Sequence, residues 1–135
     1  MNNYSDEKIQ LSLLLLRVSV FLVMFMWTID KFVNPSHASK IFESFYQIGG
    51  LETGAIFVVG AIELVILLLF LVGFQKKYTY GAVLIFHAIS TLATFKQYFS
   101  PFEGPNLLFF AAIPMLAACF TLFVLRDQDN KFAVG

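Results

Sequence analysis

Four apolar runs, each long enough to cross a bilayer, constrain this chain more than any other feature. A spanning helix needs about 20 largely apolar residues, and residues 9–32, 54–74, 78–98 and 107–125 meet that length. Turn-forming or charged residues fall between them: Asn34-Pro35, Gly49-Gly50, Lys76-Lys77 and Pro101 with Gly104-Pro105. The composition leaves no room for a soluble alternative. Of the 135 residues, 59% are hydrophobic and 13% charged, against about 25% charged in an ordinary soluble domain. So small a chain leaves much of its surface outside any core, and lipid must solvate that surface. The expected fold is all-α, a four-transmembrane-helix bundle forming one integral membrane domain over residues 1–135.

Residues 34–48 are too short and too polar to span. Asn34 suits a helix cap, Pro35 the first helical position and Gly49 the end. Ile41, Phe42, Phe45 and Ile48 share one face of that helix, while Lys40, Glu43 and Gln47 lie elsewhere. The pattern predicts a short interfacial amphipathic helix between the first and second spans. The first run is expected to persist in the mature protein: Asp6 and Glu7 precede it, Arg17 interrupts it, and no small-residue cleavage pattern follows. With four spans, Lys8, Lys76, Lys77, Arg126 and Lys131 share one side, and Lys31, Lys40 and Lys96 the other. The bias places both termini in the cytoplasm, in a bacterial inner membrane. Residues 1–6 and 128–135 read as short polar tails, expected to be mobile.

Nine basic and nine acidic residues balance, and no basic block suits a phosphate backbone, so nucleic acid is not an expected partner. A single cysteine, Cys119, excludes an intramolecular disulfide and any cysteine-built metal site. His37 and His87 are the only histidines. Haem would find one intramembrane imidazole at most, and Met24 and Met26 point about 200° apart on a helix, which does not favour copper. No metal is expected.

Chemistry is concentrated in three ionisable residues well inside the expected spans: Arg17, Glu63 and His87. A charge near the centre of a membrane helix costs about 2.5–3.5 kcal/mol on insertion scales, and such residues mark functional sites by default. At about 1.5 Å per residue, the three fall within a slab of about 5 Å. An Arg17–Glu63 pair would cancel both charges, with His87 joined to it. In the third span His87, Ser90, Thr91, Thr94 and Tyr98 form a polar stripe, and in the first span Thr28 and Lys31 follow Arg17, flanked by Trp27 and Asp30. Facing each other, the stripes would line a cleft that opens outward and ends at Glu63 and His87. Its candidate ligand-binding residues are Arg17, Trp27, Thr28, Lys31, Glu63, His87, Thr91 and Thr94. The alternative is a buried polar staple fixing helix register, with the hydroxyls bonded to their own helix and Trp27 and Tyr98 anchoring the interface. Pro114 is expected to kink the last span and free a carbonyl one turn earlier. Gly60, one turn before Glu63, suits close helix approach.

Leu14-Leu15-Leu16-Arg17, then Trp27-Thr28-Ile29-Asp30-Lys31-Phe32-Val33-Asn34-Pro35, and Gly60-Ala61-Ile62-Glu63-Leu64 followed by Gly73 together resemble the DoxX family of small four-helix membrane proteins. The resemblance extends from about Leu11 to Leu125. It implies a relationship to the small subunits of a thiosulfate:quinone oxidoreductase, to redox and thiol-stress complexes, and more distantly to animal membrane chaperones. Arg17, Lys31 and Glu63 stand at positions similar to the family's recurrent polar ones. Where many members carry His-Gly near the end of the first span, this chain has Trp27-Thr28, which leaves His87 as the intramembrane imidazole.

Three functions are compatible with these residues. The first is a quinone-linked redox subunit or accessory protein, with quinone as ligand and electrons supplied by a partner subunit or a small molecule such as thiosulfate. The second is a non-catalytic scaffold, chaperone or assembly factor acting through the outward helix, in particular Phe42, Phe45 and Tyr46. The third is a small transporter, for which four helices would need a homo-oligomer.

Overall fold

The computed structural model describes residues 3–135, with side chains from Asp6 onward. The described chain is helical, without strands. It runs through α1 (Asn3–Val33), α2 (Pro35–Tyr46), α3 (Thr53–Leu71), α4 (Lys76–Ala93), α5 (Phe95–Phe99), a 3₁₀ segment (Asn106–Ala111), α6 (Ala112–Val124) and a 3₁₀ turn (Arg126–Gln128). Three stretches, Asp6–Val33, Thr53–Leu71 and Asn106–Val124, are long and apolar enough to cross a membrane, and they make this a membrane protein. α4 is not among them. Lys76 and Lys77 open it, and Thr79, Tyr80, His87 and Thr91 are all buried along it. It stops at Ala93 and not at the expected residue 98, because the chain turns at Thr94 into α5. The Thr94 hydroxyl caps that break, donating to the Thr91 carbonyl at 3.0 Å.

α1 packs against α3 and α6, and α4 packs against the same two, closing a ring of four helices. The apolar core fills only one end of it. Leu13, Val20 and Met24 of α1 meet Leu67 and Phe70 of α3, Tyr80 and Val83 of α4, and Cys119 and Leu122 of α6. The α3, α4 and α6 positions lie in the halves of those helices nearest the α3–α4 turn and the C-terminal strap, while Val20 and Met24 lie past the midpoint of α1. The other half of the ring carries the cavity described below.

Two close approaches fix the stagger of α1 against α3. A Cβ on Gly60 would lie 3.0 Å from the Phe32 ring and 3.4 Å from Lys31 Cβ. Glycine therefore lets the end of α1 rest directly on α3. Gly60 is seven residues into α3, so α1 ends about 10 Å short of the start of α3. α2 occupies that step, packed on both helices. Pro35 is its first residue and Asn34 precedes it, but Asn34 makes no side-chain cap; its Oδ1 accepts from the Ser36 hydroxyl at 3.0 Å. Gln47, not Gly49, ends the helix. Its left-handed backbone (φ 60°) lets Ile48 N–H donate to the Phe42 carbonyl at 3.0 Å.

The C-terminal residues contradict the expected mobile tail. Residues 129–134 fold back as a strap over the turn between α3 and α4. Asp129 is 0% exposed, and Val134 N–H donates to the Val72 carbonyl at 2.8 Å. Gly73 makes this possible twice over: its φ is +71°, and an added Cβ would lie 2.7 Å from Ala133 Cβ. At the other end, the expectation for residues 1–6 falls partly outside the described residues.

Candidate functional site: a polar-headed cavity between α1, α2, α4 and α6

Arg17 does not pair with Glu63. It is 1% exposed and donates from Nη1 to Asp129 Oδ1 at 2.7 Å. Its Nη2 donates to the carbonyls of Lys131 at 2.6 Å and Phe132 at 3.2 Å. The Tyr80 hydroxyl donates to the second Asp129 oxygen at 2.6 Å. Lys76 Nζ holds the Asp129 carbonyl at 2.6 Å, and Asn130 N–H reaches Gln10 Oε1 at 2.9 Å. Burial under this strap pushes the Lys76 ammonium below its ordinary value, against the pull of Asp129. The expected Arg17–Glu63 pair gives way because Asp129 is brought back by a strap whose backbone carbonyls also serve the guanidinium. A carboxylate on α3 offers no such additional acceptors. Arg17 therefore belongs to the packed end of the bundle and lies apart from the cavity.

Glu63 takes its partners from the far end of α1. Lys31 Nζ lies 2.9 Å from Glu63 Oε2, and the Thr28 hydroxyl donates to the same oxygen at 3.1 Å. Thr28 and Lys31 are one turn apart, so both face α3. The stagger set at Gly60 brings Lys31, which residue counting puts at the membrane surface, down to Glu63.

A cavity of about 1330 Å³ adjoins this pair. Trp27, Lys31, Glu63, His87 and Thr94 line it; Arg17, Thr28 and Thr91 do not. Thr28 stands behind the wall, bonded to Glu63. Thr91 is buried and donates to the His87 carbonyl at 2.7 Å, so its hydroxyl is spent within its own helix. Thr94 lies 3.1 Å from the Tyr98 hydroxyl as well as bonding to Thr91. The remaining walls are largely apolar, from α1, α2 and α6.

His87 is a buried polar side chain of the cavity wall that keeps one unpaired nitrogen. It is 1% exposed, and its Nε2 lies 2.9 Å from the Ala112 carbonyl. A carbonyl only accepts, so Nε2 carries a proton. Nδ1 is buried and has no partner, leaving one side of the imidazole open to a hydrogen bond from elsewhere. The Trp27 ring stacks against it, centroids 6.0 Å apart and planes inclined 22°. Pro114 marks the place where the last span divides. A proline lacks the N–H of a helix interior, and the last span divides just before it: the 3₁₀ segment ends at Ala111 and α6 begins at Ala112. Pro114 then sits in the first turn of α6, where no donor is needed. The bound carbonyl is that of Ala112 and not the one a turn before Pro114.

α2 covers the cavity end. Its Ile41, Phe42, Phe45 and Tyr46 line the cavity, with Phe45 against Phe109 at 6.1 Å. His37 Nδ1 meets Asp30 Oδ2 at 2.6 Å, joining the start of α2 to the end of α1 at the cavity edge. Residue patterning gave no sign of Asp129, Tyr80 or the Ala112 carbonyl as partners. A cue existed for the first: Arg17 needs a counter-charge, and the chain carries an acid just beyond its last span. Among the described residues no group of three His, Cys, Asp or Glu side chains converges in a way that could hold a metal. Comparison of the chain with protein-family models, curated proteins and solved structures gives no match.

Proposed function

We propose that this protein is a DoxX-like, four-span integral membrane protein of a bacterial inner membrane, both termini cytoplasmic, that binds the ring of a quinone in the His87 cavity. It would serve there as a redox subunit or accessory protein. The observation that carries the reading is the buried, unpartnered Nδ1 of His87 beside the Trp27 ring. Flat stacking surface next to an unused polar nitrogen suits a planar, oxygenated ring. Lys31, held by Glu63, is the donor for a ring carbonyl. His87 Nδ1 accepts from a ring hydroxyl when the ligand is in its hydroquinone form, and apolar walls exclude water from both. A bound quinone supplies the two-electron chemistry. The chain's own groups bind, orient and exchange protons, and the electrons come from a partner subunit or a small reductant.

The scaffold reading draws less support. Phe42, Phe45 and Tyr46, its expected contact residues, are partly buried and turn part of their surface to the cavity.

Organic extraction of protein purified in mild detergent, followed by mass spectrometry, tests the proposal. Quinone near one per chain is expected, lost in a folded Glu63→Ala, His87→Ala variant. Lipid alone in both samples would overturn it.

A further inference from the structure

The cavity is larger than its polar corner, and its shape carries a second inference. On α1 the lining residues Ser19, Val23, Met26 and Trp27 recur at helical spacing. On the last span Ala111, which closes the 3₁₀ segment, and Met115 and Ala118 of α6 line it in the same way. The α1 stripe extends from Trp27 to Ser19, eight residues or about 12 Å along the helix. It leads away from the polar corner, along the seam between α1 and α6. The α2 end is roofed by Phe42 and Phe45, and the opposite end is closed by the core around Val20, Met24 and Cys119. On the α1 rim, Val23, Met26 and Trp27 are exposed, so this side of the cavity faces the surroundings of the bundle, which along an apolar span is lipid.

We propose that the α1–α6 seam is a lateral entry slot that holds the flexible apolar tail of a lipid-soluble amphiphile, with its flat polar ring at Trp27 and His87. This rests on the ring-binding reading above and adds to it a ligand class, tailed and membrane-dissolved, and a route from the bilayer core. Small and flexible residues on the α6 side, two alanines and a methionine, leave room for a chain of variable shape. Apolar contacts gain little free energy for a tail already dissolved in lipid. The slot therefore acts mainly by admitting the tail without a clash while the polar corner supplies affinity.

Trp27 is the only tryptophan, so quenching of its fluorescence reports occupancy directly. The full chain in nanodiscs is titrated with a tail-less methylated benzoquinone and with its decyl-tailed analogue, each expressed as a mole fraction of lipid. Wild type is expected to show saturable quenching by both. Val23→Phe, on the exposed rim, narrows the slot from the α1 side; Ala118→Phe does so from the α6 side as an independent variant. Each is expected to weaken the tailed ligand by about tenfold, the scale of a displaced side-chain contact, and to leave the tail-less one unchanged. Saturable quenching that both variants affect equally for the two ligands, or not at all, would overturn the slot and leave ring binding intact. Absence of saturable quenching by either ligand in wild type would overturn ring binding and the slot together.

Discussion

Arg17 and Asp129 stand 112 residues apart in the chain and meet at 2.7 Å, with no more than 1% of either side chain exposed. The pair joins the middle of the first helix to the strap after the last; Tyr80 and two strap carbonyls add hydrogen bonds to it, and Arg17 Nε alone of the guanidinium nitrogens has no partner. Breaking a buried pair from one side leaves a charge without compensation, at a cost of about 3–5 kcal/mol. Asp129→Ala is therefore expected to lower thermal stability in detergent sharply. Arg17→Leu with Asp129→Leu should be milder than either single change, as a double-mutant cycle will read.

Gly73 is held by two constraints. Alanine there would adopt a left-handed backbone at a cost of about 1–2 kcal/mol, and its Cβ would press on Ala133. The nearest relief is release of the strap. Gly73→Ala should make residues 129–135 accessible to carboxypeptidase, while circular dichroism reports unchanged helix content.

At Gly60 the neighbour is a ring and the space is tight. Gly60→Ala is expected to cost about 1–3 kcal/mol through overpacking against Phe32. It should also widen the Lys31–Glu63 approach, since the same contact sets the stagger. Phe32→Leu, by shortening the opposing side chain, should recover most of the loss in thermal unfolding.

Lys76 contributes a pH dependence whose sign follows from burial. Its native value lies below 10.5, so between that lowered value and 10.5 the unfolded chain binds the additional proton. Stability from this group therefore rises with pH across that window and is flat below it. The difference in melting temperature between wild type and Lys76→Gln, followed from pH 7 to pH 10, should grow in favour of wild type. A difference that stays constant would show that Lys76 titrates alike in both states.

How much of this was legible in the sequence varies from element to element. The apolar runs 9–32, 54–74 and 107–125 correspond to helices, because a segment that must satisfy its own backbone in lipid has few other choices. The third run was legible only in part. Its polar residues are spaced like a helix face, but the turn at Thr94 depends on a hydroxyl competing for a carbonyl, which hydropathy does not register. Trp27, Lys31, Glu63, His87 and Thr94 line one cavity, whereas Arg17, Thr28 and Thr91 do not.

The sequence by itself determined that the chain is helical, belongs in a membrane and holds costly polar groups at mid-span. Those conclusions rest on local quantities, namely composition, period and run length. Only the tertiary structure decided which charge meets which. Residue counting paired Arg17 with Glu63, and the structure pairs it with Asp129. The choice of Asp129 depended on a strap turning back over Gly73, and the choice of Lys31 for Glu63 depended on a stagger set by one missing Cβ at Gly60. Partner choice between buried charges is fixed by ångström-scale approach of distant segments, and no local pattern encodes it.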